Sequence, residues 1–243
     1  MPNPWDVGSA KLLASLGFEA LATTSQGFAW SIGKHDQTVT RDELVAHVTA
    51  LAAATELPLN VDSERCYPDD AGGVAETVRL LAEVGAAGCS IEDYDPAAQR
   101  VDDLGLAAER VAIAAEASSE MVLTARCESH LYGTADLDDT IARLVAYRDA
   151  GADVAYAPGL TDLEQIAAVV ETVGIPLNAL ALPSAPTIAE LASIGVRRVS
   201  VGSLLASAAY GALAAGAREL LEEGTSRYAE QRLAREVVQE AFG

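Results

Sequence analysis

Leu57-Pro58-Leu59-Asn60-Val61-Asp62-Ser63-Glu64 is the stretch whose reading decides the fold. A short apolar run, Leu59 to Val61, leads into two carboxylates at alternate positions. In a strand, residues i and i+2 point to one face, so Asp62 and Glu64 aim the same way. Paired acids at a strand end suit a hard divalent cation, which takes oxygen ligands. Two further strand ends carry charge. Gly88-Cys-Ser-Ile-Glu92-Asp93 ends on acids, and Met121-Val-Leu-Thr-Ala-Arg126 ends on a fixed cation. Carboxylates for a metal beside an arginine for an anion describe a site for a small acidic substrate.

The same pattern extends in both directions. Apolar strand candidates are Phe18–Ser25, Leu59–Glu64, Gly88–Asp93, Met121–Cys127, Val154–Gly159, Leu177–Leu182 and Arg198–Gly202. Ala-rich amphipathic stretches alternate with them: Ser9–Leu16, Arg41–Glu56, Gly73–Val84, Leu104–Ala117, Leu137–Ala150, Leu163–Thr172 and Thr187–Ile194. Gly17, Gly85, Gly151, Gly174 and Gly195 each stand just before a strand, where a helix C-cap belongs. Continuous apolar strands are expected where helices cover a parallel sheet on both faces. Seven strands are clear; Met1–Asp6 is long enough only for a stub of an eighth. The reading is an α/β protein, a (β/α)8 TIM-type barrel over residues 1–202. No GxGxxG follows the first strand, which disfavours a doubly wound sheet. Residues 203–243 read as two C-terminal helices, Ser203–Glu223 and Thr225–Ala241, joined at Gly224. They belong to the same domain, exceed the barrel's needs, and are expected at an oligomer interface.

Composition narrows the function. The chain has 243 residues, half of them hydrophobic, with a formal net charge of −20 and a pI near 4.3. So acidic a surface repels nucleic acid and anionic membranes. An anionic ligand therefore needs local positive charge, from a metal or Arg126. Cys66, Cys89 and Cys127 form no CxxC pair, so neither a disulfide framework nor a structural zinc site is expected. No apolar run is long enough to span a bilayer, and the expectation is a cytoplasmic protein. His35, His47 and His130 lack metal-ligand spacing. His130 could be an acid or a base, but a solvated or structural role is the plainer reading.

Several ordered motifs resemble the isocitrate lyase and phosphoenolpyruvate mutase superfamily almost end to end, in particular its carboxyvinyl-carboxyphosphonate phosphorylmutase-like members. They are Asn3-Pro-Trp5-Asp6 with Ser9-Ala10, Gly17-Phe18 through Thr24-Ser25-Gln26-Gly27, and Val61-Asp62-Ser-Glu64 with Tyr67. Gly88 to Asp93, Ala125-Arg126, Ala146-Tyr147 to Asp153, Pro176-Leu-Asn178 and Leu191 to Ser200 complete the series. The resemblance implies Mg²⁺ (or Mn²⁺), with Asp62 as its main carboxylate and Glu64 and Glu92 holding its waters. Asp36, in Gly33-Lys-His-Asp36, matches an acid near the metal. Asp36, Glu92 and Arg126 would be the catalytic set. Thr24, Ser25 and Gln26 would offer backbone N–H groups to a substrate carboxylate, and Trp5, Arg126 and Asn178 would bind the rest. The implied chemistry is cleavage or rearrangement of a C–C or C–P bond in a small anionic 2-oxo or 2-hydroxy acid, through a metal-stabilised enolate. The implied assembly is a homo-oligomer, dimer or tetramer, in which subunits exchange a helix.

The chain also departs from that pattern. The lyases carry a lid motif with a proton-donating cysteine, whereas Asp93-Tyr-Asp-Pro-Ala-Ala-Gln-Arg-Val-Asp-Asp103 contains no Cys, Lys or Gly. Lys11 and Lys34 are the only lysines, so no Schiff-base lysine is placed in this loop. Arg65-Cys66-Tyr67 replaces the usual glycine after the acidic pair, and Cys127-Glu128 replaces the usual Thr-Asp after the arginine. A true isocitrate lyase is therefore not expected. The alternative to an enzyme is a catalytically degenerate barrel that binds a carboxylate or acts through its oligomer.

Overall fold

The computed structural model describes residues 1–118, 120–133 and 135–243. Seven parallel strands form one curved sheet: β1 (Leu21–Ala22), β2 (Leu59–Asp62), β3 (Gly88–Glu92), β6 (Val122–Arg126), β7 (Val154–Tyr156), β8 (Leu177–Leu180) and β9 (Arg198–Ser200). A separate antiparallel hairpin, β4 (Tyr94–Asp95) with β5 (Arg100–Val101), follows β3. The sheet is a nearly closed barrel, as the alternating β and α segments predict. The remaining gap, between β9 and β1, is bridged by the first three residues. The Met1 amino group donates to the Val199 carbonyl at 2.9 Å, and Ala22 N–H donates to the Pro2 carbonyl at 3.0 Å. The Asn3 side chain spans the same gap: Oδ1 accepts from Val201 and Gly202 N–H at 2.8 and 3.0 Å, and Nδ2 donates to the Thr23 carbonyl at 2.8 Å. This is the expected eighth-strand stub, too short for a ladder and held by two main-chain bonds together with the Asn3 side chain.

Helices between the strands bury one stripe each. In Gly73–Glu83 the buried positions are Val74, Thr77, Val78 and Leu81, spaced i, i+3, i+4 and i+7. The five glycines expected at helix ends all have positive φ, between 73° and 106°. Gly88 is required for a different reason. A Cβ there would lie 2.7 Å from the Val122 carbonyl oxygen on the neighbouring strand, so only glycine permits this strand spacing.

Three local expectations change. The predicted strand Phe18–Ser25 shortens to Leu21–Ala22, because Thr24 Oγ1 accepts from Gly27 N–H at 3.3 Å and caps an unanticipated helix, Ser25–Ser31. The loop after β3 is ordered as the hairpin, with Asp95 Oδ1 accepting from Ala97 and Ala98 N–H at its turn. The predicted helix Thr225–Ala241 is broken into a 3₁₀ turn, Arg227–Gln231, and a helix, Arg235–Phe242. Glu219 accounts for the break. Its carboxylate accepts from Thr225 Oγ1 and from the N–H groups of Arg227 and Tyr228, taking donors that a continuous helix would use. The final helix packs against Val7–Ser15 of its own chain. Among the described residues, no helix is long and apolar enough to cross a membrane.

Candidate active site

The strand register sets the site. Asp62 pairs with Ser90, Glu92 with Arg126, Arg126 with Tyr156, Tyr156 with Asn178, and Asn178 with Arg198. Polar side chains from adjacent strands thus gather at the carboxyl end of the barrel, where barrel enzymes place their chemistry.

Arg126 is the centre. Its guanidinium meets Asp62 Oδ1 at 2.6 Å, Glu92 Oε2 at 3.2 Å and Glu128 Oε1 at 2.8 Å. It also lies over the Tyr156 ring, 5.4 Å from the centroid. Asp62 Oδ2 accepts from Ser25 N–H at 3.0 Å, at the start of the Thr24-capped helix, and Gln37 Nε2 donates to Glu92 Oε1 at 2.9 Å. One guanidinium therefore faces three carboxylates, with Asp36 and Glu64 also close enough to Asp62 for like charge to matter.

That excess of acid shows in the titration behaviour. Burial pushes the Glu64 carboxyl up to about 8, with Asp62 and Asp36 adding repulsion. Burial, reinforced by Asp62, also raises Asp36. Burial raises Glu128 to about 7 and Glu92 well above the ordinary carboxylate range, even though Arg126 opposes both shifts. Around this arginine the acids are too many and too dry to be ionised together. Among the described residues, two buried carboxylate oxygens, Asp36 Oδ1 and Glu128 Oε2, have no hydrogen-bond partner.

This donor set fits a hard divalent cation in character. The oxygens are uncompensated, one carboxylate ends a strand beside others, and Mg²⁺ takes few carboxylates while keeping several waters. Among the described residues, no three His, Cys, Asp or Glu side chains already converge on one point. The Arg126 guanidinium stands among Asp62, Glu92 and Glu128 instead.

The other sequence-predicted residues fall into place around a cavity of about 150 Å³. Asp36, Thr24, Ser25, Gln26, Asp62, Arg126 and Asn178 line it. Ser25 N–H is occupied by Asp62, and Gln26 Oε1 accepts from Ser203 Oγ at 2.5 Å. Asn178 donates from Nδ2 to Ser200 Oγ at 2.9 Å. Glu92 lies behind Arg126, while Glu64 borders an adjoining cleft with Gln37 and Arg65. Trp5 does not line the cavity. Its backbone N–H donates to Ser9 Oγ at 3.0 Å, and its Cβ lies about 3.0 Å from where a Gly27 Cβ would stand.

Asn60, Tyr132, Tyr156 and Arg198 are among the cavity-wall residues that sequence reasoning passed over. The signal for two of them was strand alternation. Asn60 precedes Asp62 by two, and Arg198 precedes Ser200 by two, on the same faces. The loop after β2 carries strain at non-glycine positions, with φ of 49° at Glu64, 56° at Cys66 and 49° at Tyr67. Residues held there cost on the order of 1–3 kcal/mol each and collect at functional sites. Cys66, Cys89 and Cys127 are buried and free, and burial pushes the Cys66 thiol up to about 12, so none is a ready nucleophile. His130 bonds Thr140 Oγ1 at 3.0 Å and lies outside the cavity lining. Asp93 is buried among Tyr147 Oη (2.6 Å), Glu128 N–H (2.8 Å) and Arg143 (3.3 Å), which is a structural setting. Tyr94 of the hairpin stacks on Tyr132, a residue of the cavity wall, at 3.9 Å and 18°.

Comparison with known proteins identifies the family of the chain. The family model for phosphoenolpyruvate phosphomutase matches residues 1–221. A solved protein from Burkholderia cenocepacia J2315 is 48% identical, with a TM-score of 0.94 over 98% of this chain and 89% of its own. An uncharacterized protein of Mycobacterium tuberculosis (strain H37Rv) is 36% identical over 90% of this chain and 83% of its own length. An oxaloacetate decarboxylase of Paraburkholderia xenovorans (strain LB400) is 30% identical over 84% of this chain and 70% of its own length. With its barrel, its strand-end acids around one arginine and these relatives, the chain belongs to the phosphoenolpyruvate mutase and isocitrate lyase superfamily, a family of lyases and mutases.

Proposed function

We propose that this protein is a Mg²⁺-dependent enzyme that breaks the C3–C4 bond of a small 2-oxo diacid, one carbon beyond the carbonyl, with oxaloacetate decarboxylation as the reaction it fits best. The observation that carries this reading is Arg126 amid surplus, partly unpartnered carboxylates at the rim of a small polar cavity. Asp62 would hold the cation directly, with Glu64 and Glu92 accepting from its waters and Asp36 close by. When bound, the cation supplies Lewis-acid polarisation of the 2-oxo group.

The chain's own residues do the rest. Arg126 presents a planar fork to a substrate carboxylate once the acids that hold it turn to the cation. Asn178 and the Thr24–Gln26 turn orient the carboxylate end. In decarboxylation the C3–C4 bond breaks, CO2 leaves, and its electron pair moves onto C3 and the carbonyl oxygen. C3 then takes a proton. Asp36, which lines the cavity and has a free Oδ1, is the acid we assign to that step. The stacked Tyr94–Tyr132 pair would restrict water on the Tyr132 side of the cavity.

Cleavage of isocitrate makes a different demand, a proton donor on the lid. The hairpin between Asp93 and Asp103 has only carboxylates, Tyr94 and Arg100 as ionisable groups. Near neutral pH an exposed Asp is ionised, and Tyr and Arg hold their protons too tightly. Losing a general acid costs about 10²–10⁴-fold.

Pyruvate release from oxaloacetate and from methylisocitrate, and glyoxylate release from isocitrate, are to be measured with Mg²⁺ and with chelator. The expected result is Mg²⁺-dependent turnover of oxaloacetate and negligible cleavage of both isocitrates. A kcat for either isocitrate in the ordinary range of about 1–10³ s⁻¹ overturns the lid argument. Turnover of oxaloacetate that is indifferent to the metal overturns the metal assignment.

A further inference from the structure

Arg126 is compensated by three carboxylates, but a second guanidinium in the barrel is not. Arg198 projects inward from β9. Its Nε donates to Asn178 Oδ1 at 2.9 Å, one terminal nitrogen to Thr124 Oγ1 at 2.8 Å, and the other to Asn60 Oδ1 at 3.4 Å. All three partners are neutral. Among the described residues, no carboxylate lies within ion-pair distance of it, although the chain carries 36 acids. The other inward or half-buried arginines, Arg65, Arg110 and Arg143, each meet at least one Asp. A guanidinium has five N–H donors, so each terminal nitrogen of Arg198 keeps one without an acceptor among the described residues.

The depth of Arg198 is set by its partners. Thr124 and Asn60 stand two residues before Arg126 and Asp62 on the same strand faces, so Arg198 lies one side-chain layer, about 6–7 Å, below the Arg126 layer. The same cavity is lined by Arg126 and Asp62 above and by Arg198, Asn60 and Asn178 below. A buried cation without a counter-charge is costly, and an anion entering the cavity would remove that cost. Burial already lowers its pKa to about 10, well within the charged range at neutral pH.

We infer that Arg198 forms a second anion subsite on the floor of the cavity, which selects a dicarboxylate by taking the carboxylate farther from Arg126. The choice of a 2-oxo diacid rests on the function proposed above; the anion subsite does not.

The test compares wild type with Arg198→Gln by thermal melting in chelator, with malonate and succinate against acetate at matched ionic strength. Wild type should be stabilised by the dicarboxylates, and Arg198→Gln should need about tenfold or more ligand for the same shift. Equal responses in the two proteins overturn the subsite. Where Arg198→Gln is not folded by circular dichroism, Arg198→Lys replaces it. Lysine keeps charge but loses the fork, so weaker dicarboxylate binding is expected and an unchanged midpoint overturns the inference. With oxaloacetate as substrate, Arg198→Gln should raise KM about tenfold or more while changing kcat little. Inhibition by oxamate, a monoacid, should be unchanged. An Arg198-dependent dicarboxylate response without any turnover sinks the proposed function and leaves the subsite standing. Turnover with neither KM nor melting sensitive to Arg198 does the reverse.

Discussion

Arg126 ties four strands' worth of chemistry to one side chain, and its fork is what the geometry uses: separate nitrogens meet Asp62, Glu92 and Glu128. Lysine can place one charge there but cannot address three carboxylates or a planar carboxylate ligand. Arg126→Lys should therefore lower kcat/KM for oxaloacetate by about tenfold or more; an unchanged value counts against the role. A second residue makes a prediction about pH. His47 is buried, stacks on Phe28 at 3.7 Å, and has an unpartnered Nε2. Burial pushes its pKa down to about 4 from an ordinary 6.5. Between those values the unfolded chain binds a proton that the folded chain refuses, so stability rises with pH and is lost as pH falls from 6.5 towards 4. The full contribution is on the order of 3 kcal/mol. Urea unfolding of wild type and His47→Leu should show the variant with a flatter profile over that window. Parallel profiles would show that other groups govern acid lability.

At the scale of elements, most helices and strands were legible because their apolar residues repeat at the spacing of a helix or run continuously as in a covered strand. The helix Gly73–Glu83 shows what that burial contributes. Leu81 is fully buried on the stripe facing β3, and Leu81→Ala should destabilise by about 2–5 kcal/mol in chemical denaturation. A loss under 1 kcal/mol would mean that the core closes over the gap. Elements that rest on a single polar contact were not legible. The Ser25–Ser31 helix depends on Thr24 as its cap, and the broken C-terminal helix depends on Glu219 reaching six to nine residues ahead. The hairpin is held to the barrel by Arg65, which meets Asp95 and Asp102 at 3.3 Å, and by Arg110, which meets Asp102. Charged pairs between distant segments leave no periodic trace in a sequence.

At the scale of the whole molecule, the C-terminal region carries exposed large apolar side chains more densely than the barrel. Leu213 is 66% exposed and Leu221 86% exposed, and Leu205, Leu220, Leu233, Val238 and Phe242 are also exposed in the single chain. Apolar side chains gathered on one region mark an association surface. We expect a stable homo-oligomer in which these helices form the contact. Light scattering at micromolar concentration should give a mass of at least twice 25.2 kDa; a monomer refutes the expectation.

The sequence by itself determined the barrel, because burial repeats with the period of each element, and it marked Asp62, Glu92 and Arg126, because each charge ends an apolar run. It also carried the absence of a lid cysteine. Only the tertiary structure decided which acids share the arginine, since Asp62 and Arg126 are 64 residues apart and meet through strand register alone. It likewise separated Trp5 from the cavity and left Arg198 without a counter-charge. Whether a charge is compensated depends on which side chains surround it in space, and order along the chain does not specify that.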